Sequence, residues 1–323
     1  MDPNLYSIKP ATTVNIEQIS KLNVEMAFET ENLTLDLEAV TSAMKKITEE
    51  ENSGYSVIAT EKDQDTPVAF LTSWFGFDYV RNDLVCFILS TFTSKDHRRR
   101  GLFNKLYEAI IEKSRAKEGR YIRLVVDHTN TAAKATYKKI GMEPSIDQLI
   151  EIDLSQDYSK DIEFQSCYSR FLDEEEFTIE LATQEEIKEI KFENFKPILH
   201  DNKEFRRAEA GALKSFDKKH SSEIFLLKQN SEVVGVLGGY YSVCDWTDRK
   251  VTYLNDLRLE NSRIDESREL TALTFKLLMD KFDEEKRHMF IHVSTQEEWV
   301  KMLFKTAGAV VGHYEVFEQT LAQ

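Results

Sequence analysis

The sequence contains two copies of one pattern. Tyr6-Ser7-Ile8-Lys9-Pro10-Ala11-Thr12, followed by Ile16 and Ile19, is matched by Phe177-Thr178-Ile179-Glu180-Leu181-Ala182-Thr183, followed by Ile187 and Ile190, at a constant spacing of 177 − 6 = 171. A second window aligns Asp78-Tyr79 with Asp245-Trp246, Phe87 with Leu254, and Ile140-Gly141-Met142 with Ala307-Gly308-Ala309, at 245 − 78 = 167. Two ungapped windows in the same order at nearly the same spacing mark a duplication. A chain of 323 residues is also longer than one hydrophobic core comfortably serves. The expected organisation is a first domain over 1–154, a linker over 155–176 and a second domain over 177–323.

Each copy alternates strand and helix signals. Tyr6 to Lys9 reads as a strand, and Ile16, Ile19, Leu22 and Met26 recur at helical spacing. Strands are expected over 55–60, 68–74 and 84–93, a long helix over 102–115, a strand over 121–126, a helix over 131–139 and a closing strand over 148–154. This order predicts an α/β protein, with a mixed sheet flanked by helices in each copy. The linker begins and ends in polar runs, Ser155 to Asp161 and Asp173 to Glu176. Between them Phe164, Tyr168, Phe171 and Leu172 lie at near-helical spacing, so it is expected to pack on a domain.

Charge and cysteine usage narrow the function. Lys and Arg number 42 against 57 Asp and Glu, a net charge of 42 − 57 = −15, so the overall field repels nucleic acid and anionic membranes. Cys86, Cys167 and Cys244 show neither disulfide-framework nor zinc-site spacing. No basic leader followed by an apolar run opens the chain, and no apolar stretch reaches the roughly 18 residues of a membrane span. The expectation is a soluble, cytoplasmic protein without a structural metal.

Against this acidic background, Thr91-Phe92-Thr93-Ser94-Lys95-Asp96-His97-Arg98-Arg99-Arg100-Gly101-Leu102-Phe103 stands out, because a strand runs into a basic turn that opens a helix. Helix N-termini present unpaired N–H groups and partial positive charge, and glycine allows a ligand close to the backbone. The segment therefore predicts an anion site. One strand later, Asn130 is placed to cap a helix and Gly141 to end it. Tyr137 lies two helical turns beyond Asn130 and on the same face.

Together these elements resemble the GNAT superfamily of acyl-CoA-dependent N-acyltransferases. Arg98-Arg99-Arg100-Gly101-Leu102-Phe103 is similar to the family's phosphate motif except at its last position, where Phe103 replaces a small residue. Asn23-Val24-Glu25-Met26-Ala27-Phe28-Glu29-Thr30-Glu31 and the 130–142 block resemble a bacterial-type subgroup. The resemblance covers most of 1–154 and implies two tandem GNAT-like domains, each with a mixed, mostly antiparallel sheet. It also implies acetyl-CoA as cosubstrate and a small-molecule or peptide amine as acceptor. The pyrophosphate would lie on Arg98, Arg99, Arg100, Gly101, Leu102 and Phe103, and the pantetheine along Thr91, Phe92 and Thr93, with Asn130 also on the cofactor side. Tyr137 stands where the family's tyrosine protonates the leaving thiolate. Glu29 and Glu31, at the end of the substrate helix, are candidate bases; Asp78, Asp127 and His128 are alternatives. His288 and His292 read as a strand pair about 13 Å apart and carry no metal expectation.

The 167 spacing maps Arg98-Arg99-Arg100-Gly101 onto Asp265-Glu266-Ser267-Arg268, Asn130 onto Glu297 and Tyr137 onto Phe304. The second copy is thus expected to be degenerate, retaining the fold but neither anion turn nor proton donor. Tyr240-Tyr241 and Asp245-Trp246 read either as buried core, the commoner role for such residues, or as an aromatic wall of a substrate pocket at the domain junction. An N-acetyltransferase is the leading expectation; a non-catalytic acyl-CoA sensor or interaction protein is the alternative.

Overall fold

The computed structural model describes residues 5–50, 52–152, 162–171, 177–200, 205–217, 220–293, 297–306 and 309–321. In the first half, β1 (Tyr6–Pro10) leads through the helices α1 (Ile16–Glu31) and α2 (Leu37–Glu49) to β2 (Gly54–Glu61), β3 (Pro67–Asp78) and β4 (Asp83–Thr93). There follow α3 (Leu102–Ala116), β5 (Tyr121–Asp127), α4 (Thr131–Lys139) and β6 (Glu143–Ile152). The helix α2 has no counterpart in the sequence reading, although Asp36 caps it and Val40, Ala43, Met44 and Ile47 are its buried stripe.

Between the halves, α5 (Ile162–Tyr168) joins the second-half core through Phe164 and Tyr168, with Phe171 beside them. Leu172 and the polar runs on either side lie outside the described residues. The second half continues with β7 (Phe177–Leu181), α6 (Gln184–Glu189), β8 (Phe195–Pro197), α7 (Phe205–Lys214), β9 (Ser222–Gln229), β10 (Glu232–Val243) and β11 (Lys250–Glu260). It closes with α8 (Ser267–Glu284), β12 (His288–Val293), α9 (Glu298–Thr306) and β13 (Val310–Thr320). The repeat reaches local detail: capping boxes are built on Thr12 with Asn15 and on Thr183 with Glu186.

The strands of the described residues join one mixed sheet in the order β1-β2-β3-β4-β5-β13-β6-β12-β11-β10-β9-β7, with β8 added on β11. The halves exchange their last strands. The first half's β6 pairs with β12, while the second half's β13 pairs with β5, and the two exchanged strands pair with each other. Chain order and sheet order therefore part company at 143–152 and 310–320. The exchanged β13 is anchored by buried charge: Arg123 on β5 donates to Glu318 at 2.6 and 2.9 Å and to Asp147 on β6 at 3.1 Å.

The hairpin turns are exchanged as well. Tyr79, after β3, enters the second half and donates a 2.6 Å hydrogen bond to buried Asp256. It fits because Gly238 has no side chain: a Cβ there would lie 2.1 Å from the Tyr79 ring. Asp245, after β10, enters the first half and receives Asn23 Nδ2 at 3.0 Å and the Ser90 hydroxyl. Strand pairing corrects the spacing of 167 here. Ser73 pairs with Ile88, and Gly239 with Leu254, so the offset across these strands is 239 − 73 = 166. Tyr79 corresponds to Asp245, Asp78 to Cys244, and Phe87 to Tyr253 rather than Leu254.

Candidate active site

Adjacent strands β4 and β5 run parallel but pair only at Val85–Tyr121, Cys86–Ile122 and Phe87–Arg123. A register shift at Leu89, between Thr72–Ser90 and Ser73–Ile88, bends β4. Beyond Phe87 the two strands open, leaving the β4 edge without a ladder to β5. Thr91 and Thr93 are half-buried there, and Phe92 packs beneath α1 with Ile16, Ile19 and Met26. The Thr91 hydroxyl is already committed to Phe70 O at 3.1 Å.

This opening leads to the turn before α3. Gly101 is its N-cap at φ 75°, Arg99 is also left-handed at φ 60°, and nothing lies within 4 Å of a Cβ built on Gly101. The first backbone bond within α3 runs from Lys105 N to Gly101 O, so the amides of Leu102, Phe103 and Asn104 have no intrahelical acceptor. An anion can approach that backbone unhindered. The arginines divide their roles. Arg98 donates Nε to Thr93 O at 2.9 Å and grips Glu29 with two bonds of 2.6 and 2.9 Å. Arg100 donates to Tyr6 Oη at 2.6 Å and Asp96 O at 2.9 Å, while Arg99 is exposed.

Glu29 therefore does not sit as an uncommitted base. The Arg98 guanidinium holds its carboxyl below the usual carboxylate range. Sequence reasoning missed this pair because 69 positions separate its members. Glu31, by contrast, accepts the Tyr314 hydroxyl, and burial with Asp127 nearby raises its carboxyl above the usual range. Asp78 is remote from the turn, beside the opposite end of β4, where its carboxylate accepts Arg81 N at 3.1 Å.

Tyr137 on α4 packs between Phe103 and Phe317, ring centroids 5.8 and 5.9 Å away. Phe103, the position that departs from the motif, also stacks on Tyr107 at 5.9 Å and so buttresses the tyrosine. Burial pushes the Tyr137 phenol up to about 12, favouring its protonated form. Asn130 caps α4, its Oδ1 accepting Ala133 N at 3.0 Å.

Residues 17–142 match the acetyltransferase (GNAT) family. A possible acetyltransferase of Clostridium difficile 630 is 30% identical, the similarity covering 92% of that chain and 44% of this one, with a TM-score of 0.40. The chain belongs to the GNAT family. Two solved structures share the whole tandem architecture of this GNAT chain. A tandem GNAT protein from the clavulanic acid biosynthesis pathway covers 98% of this chain and 99% of its own at 10% identity and a TM-score of 0.58. A GCN5-related N-acetyltransferase of Sphaerobacter thermophilus covers 98% and 96% at 13% identity and a TM-score of 0.54. Curated proteins gave no match.

The corresponding opening in the second GNAT-like half is filled from within. Pairing between β11 and β12 ends at Leu254–Ile291, but the next stretch of β11 is covered by β8, through Arg258–Pro197, Leu259–Lys196 and Glu260–Phe195. Leu257 and Leu259, equivalent to Thr91 and Thr93 at the 166 offset, are fully buried. Asp256 accepts His200 Nε2 at 2.8 Å and Arg258 Nε at 2.7 Å; burial opposes its ionisation, but Arg258 and His200 bring the carboxyl down to about 2. The helix starts differ in charge as well: Gly101 is the N-cap of α3, whereas the carboxylate-bearing Glu266 is the N-cap of α8. Phe304 keeps its correspondence to Tyr137 and is buried, whereas Ala307 and Gly308 lie outside the described residues. His288 and His292 lie on β12 as expected; His288 faces Thr247 Oγ1 at 3.0 Å. At the junction Tyr240 stacks on Tyr253 at 5.3 Å, and Trp246 packs against the core under α1.

Among the described residues, no helix is long and apolar enough to cross a membrane. Asp127, His128 and His313 form the one described group whose side chains could together hold a metal ion. Two of its donors are already engaged: Asp127 Oδ1 accepts both Thr129 N and Thr129 Oγ1, and His128 Nδ1 lies 3.1 Å from His313 O.

Proposed function

We propose that this chain is an N-acetyltransferase with one reaction site, in its first half, that transfers an acetyl group from acetyl-CoA to an amine of a small molecule or peptide. The observation that carries this reading is the unpaired edge of β4 beyond Phe87, leading to the open Gly101 turn at the start of α3. A cofactor arm laid along Thr91, Phe92 and Thr93 can add to β4 as a strand would, while its pyrophosphate meets the amides of Leu102, Phe103 and Asn104. Arg99 supplies exposed positive charge; Arg98 and Arg100 hold the turn to α1 and β1.

The amine enters from the α1 side, where Glu31 and Asp127 draw a cationic group. Its nitrogen attacks the thioester carbonyl, the C–N bond forms and the C–S bond breaks, and Tyr137 protonates the departing thiolate. The second copy acts as a scaffold, because β8 occupies the edge that a second cofactor would need. A soluble, cytoplasmic setting belongs to the same reading. Incubation with acetyl-CoA and a metabolite extract, followed by mass spectrometry, tests it. Acetylated amines with release of CoA are expected, whereas acetyl-CoA binding without turnover would instead make the chain a sensor.

A further inference from the structure

The exchanged strand carries second-half side chains to the end of β5, along the edge that faces away from β4. Tyr314 pairs with Asp127, the last residue of β5, and His128 N donates to His313 O at 3.0 Å. His313 and Tyr314 therefore stand beside the end of β5, past the point where β4 has diverged. The His313 Nε2 atom lies 3.3 Å from Asp127 Oδ2, and its side chain is 40% exposed, so the imidazole is reachable from solvent. Tyr314 reaches Glu31 at the end of α1, on the side of the sheet opposite α3.

We propose that His313, contributed by the second half, is the base that receives the proton of the incoming ammonium, with Asp127 fixing its ring.

The inference rests on the transferase reading of the same opening. Asp127 Oδ2, 3.3 Å from Nε2, favours a proton on that nitrogen and so the tautomer that leaves the Nδ1 lone pair available, as where a carboxylate orients a catalytic imidazole. Imidazole suits a proton acceptor operating near neutrality. The protons balance as follows. The ammonium gives one proton to His313 Nδ1, and the freed amine attacks the carbonyl. As the C–S bond breaks, Tyr137 protonates sulfur and recovers a proton from the new amide nitrogen, while His313 releases its proton to solvent. The charged and titratable groups shown beside His313 are Glu31 on α1, Asp127 and His128 at the end of β5, and Tyr314 on β13.

Bromoacetyl-CoA tests this without an identified acceptor, because it carries an electrophilic carbon where acetyl-CoA carries its methyl group. The imidazole nitrogen forms a bond to that carbon and bromide leaves. Peptide mapping of the full-length protein is expected to find the adduct on His313, suppressed by excess acetyl-CoA and absent in His313→Gln. In Asp127→Asn the rate of His313 labelling is expected to fall several-fold while CoA affinity, read by calorimetry, stays within a few-fold. A purely structural role for Asp127 would not separate the two readouts in this way. If the chain binds CoA but labels elsewhere, or not at all, the assignment of His313 is overturned. Absence of CoA binding in the same calorimetry would instead overturn the transferase reading itself.

Discussion

Tyr137 and Phe317, from opposite halves of the duplicated chain, pack with ring centroids 5.9 Å apart. The proposed proton donor of the first half is thus positioned by a strand belonging to the second. Tyr107 is fixed in the same way, its hydroxyl donating to Gln319 Oε1 at 2.5 Å.

Replacing Tyr137 with Phe is expected to lower turnover by roughly 10²- to 10⁴-fold while leaving CoA affinity within a few-fold. Only the hydroxyl is removed, and its contacts with Phe103 and Phe317 are made by the ring. Buried Phe304 at the equivalent position shows that the fold accepts phenylalanine there. Steady-state kinetics on the best acetylated amine, with calorimetry for CoA, make the check.

Gly101→Asp is expected to weaken CoA binding by more than about 100-fold, since a like charge facing a phosphate costs several kcal/mol. The fold should survive, because aspartate is among the residues that best tolerate a left-handed backbone and nothing crowds the site. Calorimetry on a variant with unchanged circular dichroism tests this directly.

Calorimetry on the wild-type chain should find one CoA per chain. The β8 ladder on β11 and Glu266 at the helix start both oppose a second site. Two equivalent sites would require β8 to leave β11.

Asp245 gives stability a pH dependence. Burial pushes its carboxyl up to about 6, against the opposing hydrogen bonds from Ser90 and Asn23. A folded-state pKa above the unfolded value means that its contribution is fully present below about pH 4 and is lost as pH rises through about 6. Asp245→Asn, which keeps one acceptor oxygen and carries no charge, should therefore be more stable than wild type at pH 8, by up to about 3 kcal/mol. The advantage should vanish at pH 4. Thermal melts at the two pH values compare them.

Glu318→Ala should destabilise the chain by about 3 kcal/mol, the lower end for breaking a buried ion pair, because Asp147 still faces Arg123. Urea unfolding provides the measurement. A loss below about 1 kcal/mol would mean that Arg123 is sufficiently paired without the exchanged strand.

Features that depend on near neighbours were legible in the amino-acid order. The duplicated Thr12 and Thr183 caps, the strand–turn–helix around Gly101, the Asn130 cap and the alternation of elements all follow from residues within a few positions of one another. The exchange of β6 and β13 was not legible, because a strand's alternation specifies which face is buried but not which neighbouring edge it joins. The 166 offset came from the equivalent bulges at Leu89 and Asn255, which tie the two hairpins together residue by residue where few side chains match. Tertiary structure also decided the candidate site. It withdrew Glu29 into a pair with Arg98, brought His313 to Asp127 across 313 − 127 = 186 positions, and closed the second opening with β8. These are non-local contacts whose partners satisfy charge or backbone hydrogen bonds only once the sheet has assembled.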